Sequence, residues 1–393
     1  AFVASYGSGR PVIGILAEFD ALPGLSQDAV PERAPLVEGA PGHACGHHLF
    51  GAASVTGAVA VARWLASTNR SGTVKVYGTP AEEGGSGKVY LTRAGLFDDV
   101  DVVIHWHPGD KNTAAAQSTT ANKSGRFTFH GVAAHAAAAP HRGRSALDGV
   151  EAMNFMVNLM REHIPSDARI HYVITNGGDA PNIVPETAQV YYYVRHPQVD
   201  QVLALFERVV QAAEAGALGT GTTMTYEVMH GNYPVLPNET LARLVDENMR
   251  SLGGFLYDDK EREFARRIRQ TLSGDLPGVD STNEIQPYAV TQGMGSTDVG
   301  DISWNVPTVG FYTATWVPGT PAHSWQAVAA GGMSIGYKGM GLASKLIAST
   351  ARDLLENPEI IDEARAELRE KRGEDFRYEA LLGDRLPPLD YRL

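Results

Sequence analysis

Four short segments of the chain hold the residue types that metal and acid–base chemistry need. The first is Gly42-His43-Ala44-Cys45-Gly46-His47-His48. Cysteine and histidine two apart, at the mouth of an expected helix, can bring a thiolate and an imidazole to one metal ion. A helix N-terminus also favours the thiolate form. A small buried cysteine beside surface histidines fits the same letters. The second is Pro80-Ala81-Glu82-Glu83-Gly84-Gly85, directly after an expected strand. Adjacent carboxylates in a glycine-bracketed loop can point in different directions, so that one binds metal while the other handles a proton. The alternative is a solvated acidic turn. The third, Ile104-His105-Trp106-His107-Pro108-Gly109, ends another expected strand. In the fourth, Pro321-Ala322-His323-Ser324, the histidine is either a ligand or a polar loop residue.

The elements that must carry these segments alternate between strand and helix. The apolar run Val12–Ala17, ending at Glu18-Phe19-Asp20, reads as a strand buried on both faces, the kind found in parallel sheets. A loop over 22–43, a helix over 46–66, a strand at 74–77, a helix near 87–94 and a strand at 102–104 follow. This alternation predicts an α/β layer structure. In such sheets functional residues gather at the carboxyl ends of the strands, so the first three segments should converge on one edge. Near residue 118 the grammar changes. Strands at 126–129, 170–174, 190–194 and 223–228 alternate with helices over 145–160 and 202–215. The first of those helices carries Leu147, Val150, Met153, Val157 and Met160 on one face. The order βαββαβ is that of a ferredoxin-like unit. We therefore expect a discontinuous catalytic, metal-binding domain over 1–117 and 231–393, and an inserted α+β domain over 118–230. In the last part we expect helices near 238–252 and 258–272, a strand at 306–312, a glycine-rich stretch leading into a long helix within 325–353, and a charged tail over 357–393.

Composition narrows the function classes. The chain has 393 residues, 33 Lys+Arg against 45 Asp+Glu, a net charge of −12, and 43% apolar residues. That length suits two domains with packed cores. The acidic balance argues against a nucleic-acid partner, which would want clustered Lys and Arg. The lack of an uninterrupted apolar run of about 20 residues argues against a membrane-spanning helix. One cysteine rules out an intramolecular disulfide framework and fits a reducing, cytoplasmic compartment. The chain opens at Ala1 in mid-pattern, with no signal segment, so a preceding N-terminal segment is expected.

Taken together, the motifs resemble the M20 metallopeptidases, in the aminoacylase/amidohydrolase branch that uses a cysteine ligand, and there most closely the B-subunit type of p-aminobenzoyl-glutamate hydrolase. The likeness rests on Ala17-Glu18-Phe19-Asp20-Ala21-Leu22-Pro23-Gly24, on the three segments around Cys45, Glu82 and His107, and on Gly131-Val132-Ala133-Ala134-His135-Ala136. Pro181-Asn182-Ile183-Val184-Pro185, Gly295-Ser296-Thr297-Asp298-Val299-Gly300-Asp301 and Gly319-Thr320-Pro321-Ala322-His323-Ser324 complete it. The motifs occur in family order over nearly the whole chain, and the ordered set is far more specific than any one of them.

The resemblance implies a mixed-sheet di-metal hydrolase domain whose insertion acts as lid and dimerisation domain. It makes Cys45, His47, Glu83, His107 and His323 ligands of two divalent ions. Zinc or manganese is expected, with cobalt or nickel as further fits. Glu82 becomes the general base and Asp20 a group that orients a ligand. His135 would reach the active site of the partner subunit and stabilise an oxyanion. Asn182 and Arg195 would bind substrate, the arginine through a carboxylate; a turn residue and a strand-surface salt bridge are the alternatives for these two. Closure of the insertion would then complete the site. The implied partner is a small-molecule amide or aromatic substrate, and the implied assembly a homodimer through 118–230 or a hetero-oligomer.

One position departs from the family. His48 stands where Asp or Asn is usual, and His105 is a second extra histidine. They either face solvent or core, or they alter metal preference and pocket. The favoured activity is hydrolysis of an amide in N-acyl or N-aroyl amino acids or dipeptides. The alternatives are deaminating hydrolysis of an aromatic amine with the same metals, and a non-catalytic binding protein.

Overall fold

The apolar run becomes strand Val12–Glu18, all seven residues of which are buried, as a strand covered on both faces must be. The computed structural model describes residues 1–389. Residues 390–393, the end of the expected 231–393 segment, lie outside the described residues. The chain divides into two compact units. The first takes in Ala1–Ser118, Leu236–Gln292 and Ile302–Tyr378; the second takes in Thr119–Val235, Gly293–Asp301 and the segment from Glu379 on. The latter two short segments fall outside the 118–230 span expected for the insertion.

In the first unit the main sheet contains β1 (Phe2–Ser8), β2 (Val12–Glu18), β3 (Gly72–Thr79), β4 (Val102–Ile104) and the short strand Thr308–Val309. Their order is β1-β3-β2-β4 and then Thr308–Val309. β2 runs parallel between β3 and β4, with Ile15 opposite Val76 on one side and Ile104 on the other. β1 pairs antiparallel on the edge. Sequence reading placed no strand there, because all seven residues of β1 are exposed and no apolar face marks it. Helix α1 (His47–Thr68) packs on β2 and on helix Ser334–Glu356. Gly57 permits this, since a Cβ there would lie 2.7 Å from Ile347. By length and composition alone α1 could cross a membrane. Its buried Leu49, Phe50, Val61 and Leu65 make it a core helix here.

Two expected elements are split. The strand at 306–312 becomes Thr308–Val309, which pairs with β4, and Tyr312–Ala314, which pairs with His107–Gly109. Between them Gly310 passes the His105 ring so closely that a Cβ would overlap it. The helix expected within 325–353 is two helices, Trp325–Gly331 and Ser334–Glu356. The break falls at Gly332 and at the extended backbone of Met333.

The second unit has a four-stranded antiparallel sheet of Ala121–His130, Arg169–Asn176, Thr187–His196 and Thr223–Asn232. In space the order is fourth, first, third, second. Helices Ala146–Met160 and Val199–Thr220 cover one face, so burial alternates along Thr187–His196 with the pleat. Phe127, Phe129, Tyr192 and Val194 form the core with Met153 and Phe206. Asn122, Ser124, Tyr193 and Arg195 take the alternate positions.

Candidate metal centre

The parallel strands deliver their acids and imidazoles at their carboxyl ends. Glu18 ends β2 and Asp20 follows it; Glu82 and Glu83 follow β3; His107 follows β4. Cys45 and His47 sit at the start of α1, and His323 just precedes helix Trp325–Gly331. The backbone is bent to bring them together. Gly46 has a φ of 74° and passes Pro108 so closely that a Cβ would stand 2.7 Å from the proline Cβ. Only glycine suits that turn. Ala81, Ser86 and His323 have φ values of 65°, 55° and 58°. Such left-handed residues cost free energy and persist where the surroundings hold them.

The donor atoms fall into overlapping groups, each with its members within 4.8 Å of one another. Cys45, His47 and His107 form one; Cys45, Glu83 and His323 form another; Glu18, His47 and Glu82 form a third. The first two share the Cys45 sulfur. His323 Nε2 lies 3.0 Å from Cys45 Sγ and 3.5 Å from Glu83 Oε1. Asp20 fastens the centre from behind. Its Oδ2 accepts the Glu83 N–H at 3.0 Å, and its Oδ1 lies 3.2 Å from His47 Nδ1. His107 donates Nδ1–H to the Pro108 carbonyl at 2.7 Å. With both Nδ1 atoms engaged, Nε2 is the nitrogen each ring leaves available to a metal ion.

Electrostatics point to cations. Burial lowers the basicity of His47, yet Glu18 and Asp20 outweigh it and hold the imidazole up at about 9. Asp20 is held down to about 2, against burial, chiefly by His47. Burial and then His47 bring His107 down to about 3, so it is a neutral imidazole ready to ligate. Burial pushes the Cys45 thiol up, and the carboxylates Glu83, Glu82 and Glu18 push it further. Without a metal ion, desolvation and three nearby acids outweigh the half-charge of the helix end. A divalent cation would reverse that balance. His47 Nε2 is buried and finds no hydrogen-bond partner among the described residues, although Glu18 Oε2 lies 3.0 Å away. A soft thiol, imidazoles and carboxylates around such an atom suit divalent metal ions.

The remaining candidates are distributed as follows. Glu82 is half-buried within the Glu18–His47 group. His48 Nε2 lies 3.1 Å from the Gly331 carbonyl, and His105 packs against Gly310; among the described residues neither joins a donor group. In the second unit His135 is exposed, and its Nδ1 accepts the N–H groups of Ala137 and Ala138, both at 3.2 Å. Nε2 is therefore the protonated, outward-facing nitrogen. A backbone bridge pairs His135 with Ile183, which sets it beside exposed Asn182. Arg195 lies near the opposite end of strand Thr187–His196, where it donates to Ser296 Oγ at 3.1 Å and stacks over Tyr193. The structure thus brings His135 and Asn182 together and sets Arg195 apart from them.

Sequence reading assigned no role to Glu18 or Lys88. Lys88 Nζ lies 2.6 Å from Glu18 Oε1, both side chains fully enclosed. The available signal was an acid ending an otherwise wholly apolar strand, which must be paired if it is buried.

Residues 118–220 match the family model described as peptidase dimerisation domain. The B-subunit of the p-aminobenzoyl-glutamate hydrolase of Escherichia coli (strain K12) is 40% identical, over 93% of this chain and 82% of that one. The Xaa-Arg dipeptidase of Mus musculus is 32% identical, over 92% of this chain and 74% of that one. The crystal structure of the Bacillus subtilis YXEP protein, described as a dinuclear metal binding peptidase from the M20 family, superposes with a TM-score of 0.58 at 18% identity. It covers 90% of this chain and 85% of that one.

Proposed function

The chain belongs to the M20 peptidase family, and from that premise we propose that it hydrolyses an amide whose amine product carries a carboxylate, in N-acyl or N-aroyl amino acids or dipeptides. The observation that carries this reading is the sharing of Cys45 between two donor triads, with the Glu82 carboxylate beside them. Cys45, His47 and His107 would hold one ion, and Cys45, Glu83 and His323 the other. When bound, the ions supply Lewis acidity to the attacking water and to the scissile carbonyl. Zinc or manganese suits the donor set, and cobalt or nickel also fits it.

The chain's own residues do the rest. Glu82 takes the proton from the attacking water and returns it to the leaving nitrogen. Asp20 keeps His47 in one tautomer and pins the loop of Glu83. His135 would offer an Nε2–H to the oxyanion that develops in the partner subunit's site. Asn182 and Arg195 bind the substrate, the arginine fork suiting a carboxylate. The two relatives named above are called after an aroyl-glutamate and Xaa-Arg dipeptides, which supports this substrate class.

The insertion would form a dimer. Strand Arg169–Asn176 is one of the two edges of its sheet, and Tyr172, Val173 and Ile174 are exposed there. A relative that is one of two kinds of chain in its enzyme keeps a hetero-oligomer in view, and the mass of the purified protein distinguishes the two. A cytoplasmic location fits the single free cysteine. The arylamine alternative relied on His48 and His105 reshaping the pocket. His48 lies against the Gly331 carbonyl and His105 against Gly310; the relatives' names favour the amide.

The test is a hydrolysis panel of N-acyl amino acids, aroyl-glutamates, dipeptides and arylamines on metal-loaded protein, with Glu82→Ala beside it. We expect an amino acid as product, with Glu82→Ala binding metal but losing turnover by about 10²–10⁴-fold. Ammonia from an arylamine, or persistent hydrolysis by the variant, refutes the assignment.

A further inference from the structure

Behind the donor groups lies a fixed cation that the reaction above does not use. Lys88 is 0% exposed and Glu18 2%. Lys88 Nζ holds Glu18 Oε1 at 2.6 Å, and Glu18 Oε2 lies 3.0 Å from His47 Nε2. A donor atom of Glu82 stands within 4.8 Å of donor atoms of Glu18 and His47. The lysine is aimed by its backbone: Ser86 is left-handed, and a Cβ at Gly87 would overlap the Pro80 carbonyl oxygen. Its charge is felt at Asp20, His105 and His107. A lysine is rarely enclosed so fully, because desolvating the ammonium costs more than one ordinary contact returns. Three carboxylates (Glu18, Glu82 and Glu83) act on the thiol, and Asp20 backs His47 and Glu83, so a resident positive charge there has an evident use.

We infer that Lys88 is a built-in counter-charge for the metal centre and that Glu18 transmits it as a positioning residue. This inference rests on the metal-hydrolase reading above. Without metal, the ammonium balances Glu18 and keeps the acidic loops assembled. With metal, the same charge opposes the ions and limits how tightly they are held, while the Glu18 carboxylate beside His47 Nε2 attracts them. The two partners therefore act on metal affinity with opposite signs, although they form one ion pair. A purely structural ion pair has no such signature: removing either end weakens the fold and leaves metal affinity unchanged.

The experiment measures Zn²⁺ affinity by chelator competition and melting temperature with and without Zn²⁺, on the full chain and on Lys88→Met, Glu18→Gln and the double variant. Lys88→Met should bind Zn²⁺ about tenfold more tightly, since one opposing charge is gone. Its metal-free melting temperature should fall by about 5–10 °C and be largely restored by Zn²⁺. Glu18→Gln should bind Zn²⁺ about tenfold more weakly, and the double variant should lie between the two. Should Lys88→Met fail to fold even with Zn²⁺, the weakened binding of Glu18→Gln and its partial recovery in the double variant carry the test. If the full chain binds Zn²⁺ and all variants match its affinity within threefold, this inference is wrong and the hydrolase reading stands. If the full chain binds none of Zn²⁺, Mn²⁺, Co²⁺ and Ni²⁺, both fall.

Discussion

Asp20→Asn is the perturbation whose size follows most directly from the geometry. The carboxylate serves two donors at once, the Glu83 N–H on Oδ2 at 3.0 Å and His47 Nδ1 on Oδ1 at 3.2 Å. Asparagine has the same shape and only one acceptor oxygen. If that oxygen stays with Glu83, its NH₂ group faces His47 Nδ1–H. The imidazole can still lean on the Asp20 carbonyl, itself 3.2 Å away. The net loss is one charge-assisted hydrogen bond, about 1.5–3 kcal/mol. At about 1.4 kcal/mol per decade this predicts metal affinity weakened by about 10–100-fold. Turnover at saturating metal should stay within about tenfold, because the side chain orients a ligand and touches no reacting atom. Chelator competition with Zn²⁺, followed by turnover across a metal titration, measures both. An affinity within threefold of the parent would refute the orienting role. So would a loss of turnover that saturating metal does not recover.

Other expectations concern the backbone, the acid limb and the interface. Gly46→Ala forces a side chain into left-handed backbone against Pro108, at about 1–2 kcal/mol for the conformation alone. Its metal-free melting temperature and its Zn²⁺ affinity should both fall. Burial brings buried His230 down to about 4. Below pH about 6.5 the unfolded chain takes up a proton that the folded chain refuses, so stability is lost as pH falls from there toward 4, by up to about 3 kcal/mol. Urea midpoints of His230→Asn should fall less steeply over that window, and an unchanged slope would assign the acid limb elsewhere. Val173→Asp puts a charge on the exposed edge strand and should shift sedimentation from dimer to monomer; a monomeric parent would refute the interface.

Much of the architecture is readable along the chain because local patterns carry it. The unbroken apolar run at Val12 specifies a strand covered on both faces. The alternation through Thr187–His196 specifies a strand covered on one. Ser145 and Asn238 announce helix starts whose caps the structure contains. The exposed strand Phe2–Ser8 had no apolar face to reveal it. The split at Gly310 depended on a distant ring, that of His105.

For the site, residue type and motif order determined which cysteine, histidines and acids to consider, since chemistry of this kind needs thiol, imidazole and carboxylate. Tertiary structure alone decided how they are shared. Cys45 and His323, 278 residues apart, meet at 3.0 Å. Among the described residues Cys45 belongs to two triads, and His48 and His105 belong to none. Glu18 and Lys88 emerge as a buried pair only when β2 and the helix after Ser86 are packed together. The physical reason is range. Spacing along the chain governs neighbours within a turn or a pleat, whereas a charge's partner, burial and protonation depend on every element folded around it.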